Sequence, residues 1–418
     1  MTAEPAPRLT LNDGLIVLIG FLALAVVYSG RALLGVTMTP WETDLGWSRE
    51  LISGAGAISL IVMAVVAPIG GHVLDRLGAR VVLGYGMIIL AGGAALTATM
   101  SSPWQLFLGY AGLSGFGFGV GTVSAVATVI TLRIRHRSGL AVGLATSGAT
   151  AGQLAFVPLL AAVVADFGWR TGYITVAAAA FALGVAGFFY VARMKSRPPT
   201  LHDAHEGPAR TPVLVSIREF AGSWVFHALF WSFAVCGFTT TGVIETHLIP
   251  YAAFCGFPPV PSATIYGLLS GLNLVGMVLA GYLSDHVHRP FLLGSLYFAR
   301  ALTFVFLILI GPDFELMLVF AMLFGLVDYS TVPVTTSIAR THFGLGRLGL
   351  VMGLMTGAHS MGGALGAYLD GVLFDSLNTY VWVWFSAILV AMFGGVLAYT
   401  VPEPGRHLPW RRAIIVPA

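Results

Sequence analysis

The sequence predicts an all-α membrane protein with twelve transmembrane helices in two pseudo-symmetric six-helix bundles. Three observations lead to this prediction: the composition, a series of long apolar segments and an internal repeat. Of the 418 residues, 57% are hydrophobic and only 9% are charged, whereas about a quarter of the residues of a soluble globular chain carry a charge. Such a chain cannot cover its surface with charge, so we expect lipid to be its solvent.

The apolar segments supply the candidate spans. Leu15 to Met38, Leu51 to Gly70 and Val81 to Met100 each contain at most one Asp, Glu, Lys or Arg. Each is about 20 residues long, enough to cross a hydrocarbon core of about 30 Å. Breaks at charged residues, Pro and Gly give twelve predicted helices: 14–38, 51–74, 81–100, 104–132, 139–165, 171–192, 220–252, 263–284, 290–311, 316–339, 348–373 and 379–401.

The basic residues indicate how these helices are oriented. Most of the 21 Lys and Arg residues fall in loops on one side of the predicted helices. By the positive-inside rule that side is cytoplasmic, which places both termini in the cytoplasm. Because the loops are compact and no targeting segment is present, we expect a bacterial inner membrane.

A polar segment divides the chain. Residues 194–218 combine Pro, His and charged residues between the sixth and seventh predicted helices, a composition typical of a linker. The predicted organisation is therefore an N-terminal six-helix bundle (1–193), a cytoplasmic linker (194–218) and a C-terminal six-helix bundle (219–418).

The two halves repeat each other at a constant offset of 210 residues. Gly71 and Asp75 align with Gly281 and Asp285, at the cytoplasmic end of the second helix of each half. A second cluster aligns at the start of the fifth helix, and its matched pairs are Arg137 with Arg347, Gly139 with Gly349, Gly143 with Gly353, Thr146 with Thr356 and Gly152 with Gly362. Duplicated halves are typical of transporters that place a substrate site at the interface between the repeats.

The loop after the second predicted helix identifies a family. Residues 71–80 (Gly-His-Val-Leu-Asp-Arg-Leu-Gly-Ala-Arg) resemble the G-x-x-x-D-R-x-G-x-R signature of the major facilitator superfamily. The resemblance implies a cytoplasmic gate, in which acidic and arginine side chains pair between helix ends and separate when the protein rocks. The candidate gate residues are Asp75, Arg76, Arg80, Arg137, Asp285 and Arg347. The alternative is that these charges only anchor the loops at the lipid headgroups.

A narrower resemblance comes from residues 135–152, where two basic residues precede Gly-Leu-Ala-Val-Gly and a helix of small residues. This segment resembles the corresponding part of monocarboxylate transporters and oxalate/formate exchangers. Their functional helix-one lysine falls, by its spacing from Ser48, on Arg31. Their essential helix-eight arginine should fall near Gly276, where this chain has no basic residue, and an intramembrane arginine occurs instead at Arg300 in predicted helix nine.

Charged residues inside spans are site candidates, because an unpaired charge in the bilayer costs several kcal/mol or more. Arg31 and Arg300 are predicted to bind substrate, since a guanidinium stays charged and can hold a carboxylate with two hydrogen bonds. Arg300 and Asp328 are equally far from the turn between predicted helices nine and ten, so we expect them to pair. The pair is either structural, or Asp328 exchanges a proton as substrate approaches the arginine.

Predicted helix seven ends with further titratable residues. Pro250 and nearby glycines favour a break in this helix. Glu245 is a candidate for proton coupling, and His247 for both proton coupling and substrate binding, because histidine titrates near physiological pH. The two point in different directions on an intact helix. His359, which has Ala149 as its counterpart in the repeat, is a candidate lining residue of a substrate cavity. Each could instead be a solvated or structural residue.

These observations predict a secondary active transporter that moves a small, monocarboxylate-like organic anion by alternating access, coupled to protons. The alternatives are a proton-independent anion exchanger and an exporter of apolar or cationic compounds; a non-transporting sensor is disfavoured by the short loops. The expected partners are the anion, protons and the lipid bilayer, with no nucleic acid, and we expect a monomer. We expect no cofactor, no metal and no enzymatic activity, because the sequence contains no catalytic or metal-binding constellation.

Overall fold

The computed structural model describes residues 11–77, 84–123, 126, 130, 134, 138–193, 213–309 and 313–403. In this part of the chain every regular element is helical. The helices, which we label α1 to α12, are Leu11–Leu45, Arg49–Leu77, Gly86–Ala98, 103–120, 138–167, Trp169–Arg193, Trp224–Phe254, Pro259–His286, Arg289–Leu309, Phe314–Phe343, Leu345–Leu377 and Val381–Tyr399.

Each of the twelve predicted helices has a counterpart among the described residues. Nine of the described helices are long and apolar enough to cross a membrane, and Gly86–Ala98 is a shorter apolar helix. The predicted linker lies outside the described residues as far as residue 212. Its end differs from the prediction, since a short helix, Val213–Ala221, precedes α7. Ser223 then caps α7 by accepting a hydrogen bond from the Phe226 amide.

Helix α1 is longer than predicted because of tertiary packing. It continues through Pro40 to Leu45, whereas the prediction ended it at Met38. Trp41 is fully buried and its ring stacks on Tyr173 at a centroid distance of 5.6 Å and meets Trp169 edge-on at 5.9 Å. Burying an aromatic ring of this size favours the extra length of helix, about two turns, despite the proline.

The chain divides into two compact units. The first comprises the described parts of Met1–Leu45, Ile58–Lys195 and Pro259–Gly267, and the second those of Gly46–Ala57, Ser196–Pro258 and Leu268–Ala418. Residues 46–57 of the predicted N-terminal half therefore belong to the second unit, and residues 259–267 of the predicted C-terminal half belong to the first. The assignment of functional domains to 1–193 and 219–418 stays a prediction.

Glycines matched by the repeat bring helices into close contact within each unit. In the first unit a Cβ on Gly152 of α5 would lie 2.5 Å from Ala25 Cα of α1. In the second unit a Cβ on Gly362 of α11 would lie 1.9 Å from the Ala234 carbonyl oxygen of α7. Only glycine permits this approach of two backbones, a common way for helices to pack in lipid.

Helix α7 contains a wide, π-helical segment, Phe238–Ile244. The Thr246 hydroxyl donates a hydrogen bond to the Thr241 carbonyl at 2.9 Å, so a side chain satisfies part of the altered backbone. Beyond this segment the helix runs on through Pro250 to Phe254. The predicted break at Pro250 is therefore wrong. The irregularity lies upstream, and π-helical turns often occur at functional sites.

Candidate functional site

A buried ion pair forms the centre of the candidate site in the second unit. Arg300 of α9 has no exposed surface and Asp328 of α10 is 1% exposed. The distance between Arg300 Nη2 and Asp328 Oδ1 is 3.2 Å, and the same guanidinium also donates to the Asp328 backbone carbonyl. The predicted pairing of these two residues is confirmed.

Hydroxyl and amide groups from two other helices complete this network. The π-helical segment of α7 directs Thr239 and Thr240 toward it. The guanidinium donates to Thr239 Oγ1 at 2.7 Å, and Thr240 donates to the Asp328 carboxylate. The Asn273 amide of α8 donates to Asp328 Oδ2 at 3.3 Å. Buried charges need such partners, and nothing in the apolar periodicity of the sequence predicted these three.

Close packing of α8 against α10 explains the missing helix-eight arginine. A Cβ on Gly276 would lie 2.2 Å from the Leu326 carbonyl oxygen, and one on Gly325 would lie 2.4 Å from the Leu269 carbonyl oxygen. A side chain at residue 276 would push these backbones apart. The guanidinium that pairs with Asp328 comes from α9.

Aromatic rings enclose the Arg300 guanidinium, whose central carbon is 5.5 Å from the ring centre of Tyr297 and 5.7 Å from that of Phe324. Tyr297 is itself held by a 2.5 Å hydrogen bond from its hydroxyl to the Ser232 carbonyl. Cys236 is buried with its Sγ 3.3 Å from Thr331 Oγ1. In this conformation both terminal nitrogens of Arg300 have protein partners and the side chain is closed to solvent.

Glu245 and His247 contact different helices, as their spacing on α7 predicts. Glu245 is half-buried and accepts a 3.1 Å hydrogen bond from the Tyr329 hydroxyl of α10. His247 is fully buried, and its Nε2 lies 3.1 Å from the Ala367 carbonyl oxygen of α11. A carbonyl only accepts, so Nε2 carries a hydrogen and donates it, while Nδ1 is buried without a described partner.

His359 lies half-buried on the same helix as Ala367. Its ring centre is 5.5 Å from that of Phe233 on α7. A Cβ on Gly237 would lie 1.8 Å from the His359 carbonyl oxygen, so the backbone at His359 belongs to the close contact between α7 and α11. This contact holds the imidazole beside α7.

Arg31 belongs to the first unit and is half-buried in α1. Its guanidinium carbon lies 5.1 Å from the ring centre of Tyr28. The Arg31 backbone carbonyl accepts a 3.2 Å hydrogen bond from the Tyr110 hydroxyl of α4. This arrangement places a permanent cation beside aromatic groups within a long apolar helix.

Most of the predicted cytoplasmic gate lies outside the described residues. Arg80 and Arg137 are not described, and the side chains of Asp75, Arg76 and Arg347 are not described although their backbones are helical. Asp285 is exposed near the end of α8. The gate stays a prediction.

Two features of the second unit were not predicted. Arg49 is 5% exposed. Its guanidinium carbon lies 3.8 Å from the ring centre of Phe374, and it donates to the Tyr380 hydroxyl. Asp370 of α11 is fully buried. The sequence does signal Asp370, because it is an acidic residue within a predicted span, although close to the end of that span.

Comparison with known proteins settles the family. The family model described as "Major Facilitator Superfamily" matches residues 20–313 and 279–413. The chain belongs to the major facilitator superfamily. Curated relatives include monocarboxylate transporter 13 of Rattus norvegicus, 27% identical over 93% of this chain and 89% of that protein. An uncharacterised MFS-type transporter of Bacillus subtilis, YcxA, is 26% identical over 82% of this chain and 84% of its own length.

Solved structures agree on the fold. The crystal structure of a D-xylose-proton symporter superposes with a TM-score of 0.75 at 15% identity, covering 94% of this chain and 99% of that one. A bacterial homologue of the human lysosomal transporter Spinster, crystallised in an inward-facing and occupied conformation, superposes with a TM-score of 0.73 at 14% identity, covering 93% and 97%. This all-α major facilitator fold makes the protein a multi-pass membrane transporter that resembles the monocarboxylate-transporter branch.

Proposed function

We propose that this protein carries a small, monocarboxylate-like organic anion across the membrane by alternating access, together with protons. The observation that carries the proposal is Arg31, a permanent cation half-buried within the apolar helix α1. Its guanidinium can hold a carboxylate through two parallel hydrogen bonds. The similarity to monocarboxylate transporter 13 over 93% of the chain supports the same substrate class.

Arg300 is the second proposed substrate cation, and its role depends on Asp328. While Asp328 is ionised the two charges neutralise each other at 3.2 Å, so the charge of Arg300 is balanced without a substrate anion. When Asp328 takes up a proton, the guanidinium regains an unbalanced charge and attracts the substrate carboxylate. Proton uptake and anion binding then favour each other, which is the basis of symport.

The remaining candidate residues have supporting roles in this proposal. Glu245 exchanges protons at the outer part of α7, where its partner is the Tyr329 hydroxyl. His247 and His359, both beside the contact between α7 and α11, bind substrate, and His247 also takes part in proton coupling. The cytoplasmic gate consists of Asp75, Arg76, Arg80, Arg137, Asp285 and Arg347.

We also propose that the protein works as a monomer in a bacterial inner membrane with both termini in the cytoplasm. The excess of Lys and Arg in the loops on one side supports this orientation. The two functional domains are the halves 1–193 and 219–418, joined by the linker 194–218.

The test uses purified protein in liposomes that contain a pH-sensitive dye, with acetate, lactate, pyruvate, benzoate, amino acids and neutral sugars added outside in turn. We expect internal acidification with at least one small carboxylate. Arg31→Gln should abolish it, and Arg31→Lys, which keeps the charge but not the two-pronged geometry, should restore part of it. Arg218→Gln is the matched control, because Arg218 is exposed on the short helix before α7. No response to any carboxylate would overturn the proposal.

A proton-independent exchanger is the second candidate, because Arg31 and Arg300 would serve it equally well. It predicts no pH change, but rapid uptake of labelled carboxylate into liposomes preloaded with unlabelled carboxylate. An exporter of apolar or cationic compounds would need a cavity without a fixed cation, so Arg31 argues against it.

A further inference from the structure

The second unit contains two buried carboxyl groups in very different surroundings. Asp328 has a guanidinium, a hydroxyl and an amide as partners. Asp370 is equally inaccessible, yet among the described residues its one hydrogen-bond partner is Ser386, with 3.4 Å between Oδ1 and Oγ. Its Oδ2 is buried without a described partner. The described part of the chain brings no Lys or Arg into an ion pair with Asp370.

The hydrogen-bond geometry at Ser386 indicates which group donates. A serine hydroxyl has one hydrogen, and the Ser386 hydroxyl lies 2.8 Å from the Val383 carbonyl oxygen, which can only accept. The longer contact to Asp370 is therefore best satisfied by a carboxyl O–H that donates to Ser386 Oγ. An ionised carboxylate could not do this, and burying it without a partner would cost several kcal/mol.

His247 lies next to this region of α11. Its Nε2 donates to the Ala367 carbonyl, and its buried Nδ1 has no described partner. Residues 367 and 370 are three apart and so lie on the same face of the helix. The Asp370 carboxyl group and the His247 imidazole thus lie along the same stretch of α11.

The other titratable and charged groups around this stretch have described partners other than Asp370. Arg49, at the start of α2, packs on Phe374 and donates to Tyr380, just before α12. Glu50 accepts a 3.1 Å hydrogen bond from the Tyr368 hydroxyl. Asp375 accepts a 2.7 Å hydrogen bond from the Glu50 amide, and from α7 the Tyr251 ring meets those of Tyr380 and Trp384 edge-on.

We propose that Asp370 is a proton-binding site of this carrier: it holds a proton while α7, α11 and α12 enclose it, and releases the proton when these helices part. On release the carboxyl O–H bond breaks, water accepts the proton, and the carboxylate keeps the negative charge in contact with that water. In the enclosed conformation Asp370 is thus the neutral acid, while Asp328 is ionised and paired with Arg300. This inference rests on the proton coupling of the proposed function and adds a site to the three residues assigned there.

Transport by Asp370→Asn supplies the first test. A pH gradient of about one unit can drive about tenfold accumulation of an anion carried with one proton. The substrate is the carboxylate with the largest response in the panel. We expect wild type to accumulate it, whereas with Asp370→Asn the ratio of internal to external concentration should stay at about one. The rate at which Asp370→Asn exchanges external for preloaded carboxylate should stay within about twofold of the wild-type rate. Asp166→Asn, at an exposed position near the end of α5, is the matched control and should behave as wild type. Gradient-driven accumulation by Asp370→Asn at the wild-type level would overturn the proposal.

An infrared measurement tests protonation without transport. The purified protein should show the C=O stretch of a protonated carboxyl group, and this band should be missing from Asp370→Asn but present in Asp328→Asn. The same band in Asp370→Asn would overturn the proposal. This outcome decides the question even if the variant neither accumulates nor exchanges carboxylate. If wild type moves no carboxylate, the proposed function fails, and the infrared band still decides whether Asp370 carries a proton.

Discussion

Arg300 and Asp328 meet at 3.2 Å although they come from different helices, and neither side chain is accessible to solvent. Their carboxylate and guanidinium share the hydroxyl of Thr240, which contacts both. A charge pair with these surroundings is sensitive to the loss of either partner, because the remaining charge stays buried and uncompensated.

We therefore expect Asp328→Asn to lower the free energy of unfolding by about 3–5 kcal/mol. Replacing both partners, as Arg300→Met with Asp328→Leu, should cost less than the sum of the two single changes, since no charge remains. Thermal unfolding in detergent, followed by tryptophan fluorescence, measures the effect. Glu315→Gln, at an exposed position in the first turn of α10, is the control and should shift stability by less than about 0.5 kcal/mol. An unfolding midpoint for Asp328→Asn equal to wild type would contradict this prediction.

The glycine contacts allow a matched test in both repeats. Gly362→Ala and Gly152→Ala should each destabilise the protein by about 1–3 kcal/mol or more, because the new methyl group meets the backbone of the partner helix. Gly353→Ala and Gly143→Ala are the controls on the same two helices, since nothing lies within 4 Å of their Cβ positions. These controls should stabilise the helix by roughly 0.5–1 kcal/mol. Equal unfolding midpoints for the two sets would mean that the close contacts do not limit packing.

The contact between Arg49 and Phe374 should contribute measurable stability. Arg49→Gln removes the cation above the ring and replaces the guanidinium that donates to Tyr380 with a shorter, uncharged amide. In a double-mutant cycle with Phe374→Leu we expect a coupling energy of about 1–2 kcal/mol, as for a desolvated cation–π pair. The measurement is again the unfolding midpoint, with Arg218→Gln as the exposed arginine control. A coupling energy near zero would show that the two side chains act independently.

The two cysteines should differ in reactivity. Cys236 is 1% exposed, whereas Cys255, just beyond the end of α7, is half-buried. N-ethylmaleimide should therefore label Cys236→Ala, which keeps Cys255, much faster than Cys255→Ala. Burial raises the pKa of the Cys255 thiol, and the thiolate is the reactive form. The labelling rate of Cys255 should consequently keep rising with pH above the range in which an ordinary cysteine thiol ionises. Faster labelling of the variant that keeps only Cys236 would contradict the burial of Cys236.

Several parts of the site could be predicted from sequence because they depend on position along a single helix or hairpin. Arg300 and Asp328 are equally far from the turn between their helices, so they had to lie at one depth. Glu245 and His247 are two residues apart, so they had to point in different directions. The repeat marked Gly152 and Gly362 as equivalent.

Other features depend on which helix faces pack against each other, and local sequence patterns do not indicate this. The break expected at Pro250 is absent, because the wide turn of α7 lies upstream and the helix continues through the proline. Asn273 reaches Asp328 because glycines let α8 approach α10. None of the described cations on the neighbouring helices forms an ion pair with Asp370.

Hydropathy, charge placement and the 210-residue repeat, with the resemblance of residues 71–80 to a family signature, thus predicted from sequence by itself a twelve-helix transporter with arginines inside its spans. These properties follow from the cost of placing charge or unpaired backbone in lipid, which applies to each segment separately. Only the tertiary structure decided that Asp328 pairs with Arg300, whereas Asp370 has no ion-pair partner among the described residues. The reason is physical: the ionisation of a buried group depends on the donors and charges that other helices bring within a few ångströms.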